Sequence, residues 1–450
     1  MGRSPRFRVV IIDKNMYFPF SYYLSPVLIY MWGFDMRVFE RIDLLRDYSV
    51  NLLIELLKRP AVNPAYGGEG EYEKAMFLYE IIRDWGFDDI KVINASDPRA
   101  KNGVRPNILA FIRGIFEDKF WVLTHLDVVP PGDLSAWTMT KPFEPVIKNG
   151  RVYGRGAEDN GQALVSSLIA AKAILEEGIK PSRTVVLAFV SDEEAGSKYG
   201  LGYLVENYKY LFSMSDVALV PDYGTSDGGF IEVAEKSIVW IKLRIKGIQV
   251  HASTPHKGLN PHRVAADYIV ALERLLREKY SARNELFDPP LTTCEPTMVR
   301  NPAGSPNIIP GEHEVVYDCR ILPEYSIDDL IEDFRVIFNQ VSAKYEKVYD
   351  NVKYPVLNLE VIERLDAAPP TPVDSNIVKT LVKALQELRG ITPRIGGIGG
   401  GTVAAFFRRI NIPAVAWSTV DDTAHMPNEY AKIENVVSDA KVMAYLMLNL

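Results

Sequence analysis

The chain has 450 residues, with 51 lysines and arginines against 58 aspartates and glutamates, for a net charge of −7. At 47% hydrophobic and 24% charged it has the make-up of a globular protein of two or three domains, which excludes a disordered or fibrous chain. The acidic balance argues against nucleic acid as a partner. Two cysteines, Cys294 and Cys319, cannot build a disulfide framework; they read as packed thiols, and a cytoplasmic location is expected.

In chain order, Arg3, Arg6 and Arg8 precede an uncharged stretch, 16–34, that superficially resembles a signal or anchor. Pro19, Pro26, two serines and four tyrosines dilute it, so no membrane partner is expected. Residues 1–35 read as an extension, with the fold beginning near Met36. Helical periodicity runs over 41–57, stopped by Arg59-Pro60, and again over 71–85 before Gly86. Strand-like runs follow at 107–112, 120–129, 184–190 and 217–220, with a long helix at 161–177. This alternation predicts an α/β domain, a mixed sheet flanked by helices.

After about Ser237 the pattern changes to strand 238–245, helix 261–279, strands near 292–299 and 314–321, helix 327–345 and strand 357–362. That β-α-β-β-α-β order is the split ferredoxin-like unit. The α/β pattern resumes with helix 376–389, strand 412–417 and a final helix from Glu434. The expected division is an extension (1–35), an α/β catalytic domain (36–236 and 366–450), and an inserted ferredoxin-like α+β lid or dimerisation domain (237–365).

Chemistry-bearing side chains follow the α/β strands. Thr124-His125-Leu126-Asp127 follows the second, Ser191-Asp192-Glu193-Glu194 the third, Pro221-Asp222-Tyr223-Gly224 the fourth, and Asp421-Asp422-Thr423-Ala424-His425 the last. Asp159 stands where the long helix begins. Open α/β sheets bind ligands at the carboxyl ends of their strands, so these segments can converge. Imidazoles and carboxylates without cysteine suit zinc, or cobalt and manganese. Two histidines and three carboxylates are too many for one catalytic zinc, but suffice for two metals sharing a bridging carboxylate. Of two adjacent glutamates, one can ligate while its neighbour acts as general base. The glycine cluster 396–401 lacks the Gly-Lys-Ser/Thr ending of a phosphate loop, and no Gly-x-Ser-x-Gly elbow occurs.

His125-Leu126-Asp127-Val128-Val129-Pro130, Gly154-Arg155-Gly156-Ala157-Glu158-Asp159, Asp192-Glu193-Glu194-Ala195-Gly196-Ser197 and the late His425 together resemble the co-catalytic zinc amidohydrolases and exopeptidases. That family includes aminoacylase, succinyl-diaminopimelate desuccinylase, acetylornithine deacetylase and bacterial glutamate carboxypeptidase. The resemblance implies a hydrolase of amide bonds in small N-acyl amino acids or short peptides, with a metal-bridging hydroxide as nucleophile. It implies two divalent ions per chain, zinc first, held by His125 and Asp222 on one side and Glu194 and His425 on the other, with Asp159 between them. Asp127 would orient His125, Glu193 would be the general base, and His251 would polarise the substrate carbonyl. Asn307, Arg320 and the loop Gly399-Gly400-Gly401-Thr402 would bind substrate. A homodimer through the inserted domain is also implied.

There are departures: Asn160-Gly161-Gln162 stands where many relatives have a lysine, Asp222 where others have glutamate, and Val403 follows Thr402. Deacylase and dipeptidase both remain open. The alternative is a metal-binding protein of the same fold without turnover, against which Glu193 and His251 argue. His256, His262 and His313 read as structural or surface groups.

Overall fold

The computed structural model describes residues 36–450; the stretch 1–35 lies outside the described residues. The described residues start with α1 (Met36–Leu44) and α2 (Arg46–Leu57), then α3 (Tyr72–Ile82). The single helix expected over 41–57 is thus two, divided at Leu45. Pro60 ends the second, since a proline disfavours helical backbone in the residue before it. Next come β1 (Asp89–Ser96), β2 (Val104–Ile112), β3 (Phe116–His125), α4 (Ala163–Glu176), β4 (Arg183–Val190), α5 (Leu201–Asn207), β5 (Val217–Thr225) and β6 (Phe230–Glu235).

A second unit follows as β7 (Ser237–Lys246), α6 (Pro261–Lys279), β8 (Thr293–Arg300), β9 (Glu312–Ile321), α7 (Ile327–Ser342) and β10 (Val356–Leu365). The chain then returns through α8 (Asn376–Arg389), β11 (Arg394–Ile398), α9 (Ala404–Arg409), β12 (Ala414–Thr419) and α10 (Ile433–Asn449).

The eight-stranded sheet has the order β1-β2-β4-β3-β5-β12-β6-β11, antiparallel at β1-β2-β4 and parallel through β4-β3-β5-β12. Its central strands are apolar on both faces because helices cover both. Along β4, Val185, Leu187 and Phe189 pack with residues of α1, α2, α4, α8 and α10, while Val186, Ala188 and Val190 pack with α5 and α9. Helix α4 is Ala-, Leu- and Ile-rich and buried nearly all round, as a helix wedged between the sheet and α10 must be.

The second sheet, β8-β9-β7-β10, is antiparallel throughout and covered by α6 and α7 on one face. One-sided burial explains the alternation in β7: Val239, Ile241, Leu243 and Ile245 are buried, whereas Trp240 lies open.

Three findings differ from the sequence reading. First, strands β1, β6 and β11 and helices α5 and α9 have no counterpart among the sequence expectations. Strand β11 hides in the glycine cluster: a side chain at Gly397 would collide with the Phe287 ring, and one at Gly396 with the Leu286 carbonyl, so only glycine fits at these two positions. Strand β3 ends at His125 rather than running to 129, which makes that histidine the final strand residue. Third, Cys294 and Cys319 are not packed thiols but a disulfide. Edge strand β8 pairs with β9 in a register that sets the two residues directly opposite; sequence spacing carries no register information. Among the described residues no helix is long and apolar enough to cross a membrane.

Candidate metal centre

Strands β4, β3, β5 and β12 are parallel neighbours, so their carboxyl ends share one edge of the sheet. His125 terminates β3, the Glu193-Glu194 turn follows β4, Asp222 lies in β5, and the loop to His425 follows β12. Asp159 reaches the same place from the irregular turn 157–162 that leads into α4.

The five residues meet there. Asp159 stands between the two imidazoles, with Oδ1 2.8 Å from His125 Nε2 and Oδ2 3.1 Å from His425 Nε2. His425 Nε2 is also 3.1 Å from Glu194 Oε2, and His125 Nε2 is 3.5 Å from Asp222 Oδ1. Donor atoms of His125, Asp159 and Glu194 all lie within 4.8 Å of one another, as do those of His125, Glu193 and Asp222.

Negative charge accumulates here. Among the described residues no lysine or arginine forms an ion pair with Asp159, Glu193, Glu194 or Asp222. Burial pushes the Glu193 carboxyl well up and Asp222 pushes it further, against the pull of His125. Burial likewise raises Glu194, against its bond to His425. Burial works against a charged Asp159, yet its bonds to His125 and His425 outweigh it and hold the carboxyl below the usual range. The bonds to Asp159 and then Glu194 push His425 up to about 10. Carboxylates crowded around imidazoles and unmatched by fixed cations are the donor set that divalent ions satisfy, so the residues fit such a group.

Residues 121–449 match the model described as peptidase family M20/M25/M40. The chain belongs to this family. An uncharacterized metallohydrolase of Methanocaldococcus jannaschii is 42% identical over 411 residues, covering 89% of this chain and 98% of its own length. Succinyl-diaminopimelate desuccinylase of Nitrosospira multiformis is 28% identical, over 69% of this chain and 78% of that one. Among solved structures, aminopeptidase PepT of Bacillus cereus superposes with a TM-score of 0.70 at 18% identity, over 90% of this chain and 98% of its own. An M20 metallo-carboxypeptidase of Sulfolobus solfataricus gives 0.65 at 21%, over 89% and 99%. At such identities the superpositions establish the fold. As a member of the M20/M25/M40 family the chain is a metal-dependent hydrolase of amide or peptide bonds.

Around this family's centre, support comes from residues the sequence reading did not single out. Asp127 was expected to orient His125 through its carboxylate. The nearer partner is its backbone: His125 Nδ1 lies 3.0 Å from the Asp127 carbonyl and 3.6 Å from Oδ1. The Asp127 carboxylate is occupied instead with the glutamate turn, accepting the amides of Glu193 (3.0 Å) and Glu194 (3.1 Å). Asn63 Nδ2 joins Asp127 (2.8 Å) to Asp192 (3.0 Å), and Asn160 Nδ2 holds Asp222 at 2.7 Å.

Two buried glutamates tie the remaining loops together. Glu429 accepts the amides of Gly156 (3.0 Å), Glu158 (3.0 Å) and Asp159 (3.1 Å), with Arg155 Nη1 at 2.6 Å. Glu158 accepts the amides of Asp421 (2.6 Å), Thr423 and Ala424 (3.0 Å) and the Thr423 hydroxyl (2.9 Å). Binding backbone amides demands no sequence motif, so no residue pattern marks these glutamates in advance.

The other sequence-predicted residues form two groups apart from the ligands. His251 is exposed in the inserted unit, its Nδ1 2.7 Å from Ser253 Oγ, and it contacts no ligand side chain. Asn307 lies beside it, its carbonyl accepting the amide of Ala252 at 2.8 Å. Arg320, on β9, grips Asp318 with Nε and Nη2 and donates Nη1 to the Gly399 carbonyl at 2.7 Å, linking the second sheet to the glycine loop. Thr402 is held by buried Glu235, which accepts its amide (2.7 Å) and hydroxyl (2.6 Å), while Gly400 and Gly401 lie between these anchors.

Proposed function

We propose that this enzyme is a dinuclear hydrolase of small N-acyl amino acids or short peptides. The observation that carries the reading is Asp159, whose two oxygens face two different histidines. A single ion would need one of those oxygens; two ions, one beside His125 and Asp222 and one beside Glu194 and His425, use both. Zinc is the first choice and cobalt or manganese the next, because the donors are imidazole and carboxylate without thiolate.

Divalent ions bound here supply Lewis acidity and acidify a water molecule. Glu193 is the base. Its carboxylate accepts no hydrogen bond among the described residues, whereas its amide is fixed by Asp127, so the group is placed but unengaged. It takes the water proton on a carboxylate oxygen and passes it to the leaving amine. Its closeness to His125 and Asp222 would also let it ligate, but that pair already has Asp159 in reach. The substrate carbonyl is polarised by His251, whose imidazole bonds Ser253 and no ligand side chain in this chain. It reaches a substrate by closure of the 237–365 unit acting as a lid, or from the partner subunit of a homodimer built through that unit. Arg320 and the glycine loop take the substrate carboxylate.

The test is chelation, then reconstitution with zinc or cobalt, against a panel of N-succinyl and N-acetyl amino acids and dipeptides. Hydrolysis of at least one class, lost on chelation and restored by metal, is expected. Two bound ions without turnover on any class would favour a binding protein of the same fold.

A further inference from the structure

Glu158 and Glu429 hold two loops in a reciprocal way. Glu429, four residues beyond His425, collects the amides around Asp159. Glu158, next to Asp159, collects three amides of the segment that ends in His425. The two carboxylates therefore fix different things. His125 is set by strand β3 and by its own bond to the Asp127 carbonyl, and Asp222 by strand β5 and Asn160. His425 has no strand beneath it: it adopts a φ of 64°, with Asp422 at 63°, and its side chain is half exposed. For residues other than glycine such backbone is uncommon and persists where surroundings hold it. Four hydrogen bonds that converge on Glu158 hold three residues of this loop, beside the Arg155 Nη2 donation to the His425 carbonyl (3.1 Å) and the Tyr430 hydroxyl and Lys432 ammonium on the Asp421 carboxylate.

We propose that Glu158 is a positioning residue that sets the affinity of the ion at Asp159, Glu194 and His425, acting through the 421–425 loop without touching metal. This rests on the dinuclear reading. Its chemical basis is acceptor count: Oε1 takes the Asp421 amide and Oε2 takes the Thr423 amide, the Thr423 hydroxyl and the Ala424 amide. In Glu158→Gln one acceptor becomes an NH2 that faces a donor, while side-chain volume is kept. The His425 ion should weaken alone, because nothing Glu158 binds carries His125 or Asp222.

Cobalt titration, followed by visible absorption with a competing chelator, reads the two ions separately. In wild type two ions bind; in Glu158→Gln the ion at His425 should bind about 10–100-fold more weakly and the ion beside Asp222 unchanged, the usual cost of losing a supporting hydrogen-bond partner. Parallel weakening of both ions, or of neither, overturns the proposal and leaves the dinuclear reading standing. Wild type taking up one ion overturns that reading, and this inference with it. Should Glu158→Gln fail to fold, Thr423→Val removes the hydroxyl that bonds Glu158 and, at 3.3–3.4 Å, the Tyr430 backbone, and keeps the three amide bonds to Glu158; a smaller loss confined to the His425 ion is expected, and an equal or absent effect overturns the proposal.

Discussion

Glu193→Gln should lower turnover by about 10²–10⁴ while leaving both ions bound, that factor being the typical contribution of a positioned general base. The amide keeps the volume and the backbone hydrogen bond to Asp127 but cannot carry the proton from water to the leaving amine. Its neighbour should behave oppositely. Glu194, with Asp159, is one of two carboxylates at 3.1 Å from His425, so Glu194→Ala should release an ion. Successive side chains diverge, and the two amides are pinned to the same Asp127 carboxylate, so the pair is held with one group toward His425 and the other free. Metal content and steady-state rates on both variants check this. Loss of metal from Glu193→Gln, with two ions retained in Glu194→Ala, would exchange the two roles.

Asp159→Ala should be the most damaging change at the metal site. It deletes the one carboxylate that contacts both imidazoles, so both ions should weaken by at least about 100-fold, beyond the loss seen for supporting partners. His125→Ala provides the comparison: it should weaken the ion beside Asp222 and spare the one at His425. Metal analysis after dialysis at fixed free zinc distinguishes a shared ligand from a private one. If Asp159→Ala loses a single ion and keeps activity, the carboxylate is not shared.

The strand-end positions of His125, Glu194, Asp222 and His425 were readable because parallel strands must present their carboxyl ends together, and because residues of this chemistry are rare enough to stand out there. The inserted unit was readable from its β-α-β-β-α-β order. Strand β11 was not, because Gly396 and Gly397 look like loop residues until the Leu286–Phe287 segment crowding them is seen. The Cys294–Cys319 bond was not, because it depends on the register of β8 against β9. Asn63, Glu158 and Glu429 were invisible for a different reason: each acts chiefly on backbone amides or other carboxylates brought close by folding. His251 is expected to act on the substrate carbonyl rather than on metal, and its imidazole bonds Ser253, not a ligand side chain. Motif spacing shows which residue types occur, not where a separate unit sets them.

Anomalous diffraction at the zinc edge, on crystals of zinc-loaded protein, tests the dinuclear centre most directly. Two peaks flanking Asp159 are expected, one between His125 and Asp222 and the other between Glu194 and His425. A single peak at full occupancy, with one Asp159 oxygen left bonded only to protein or solvent, would contradict it.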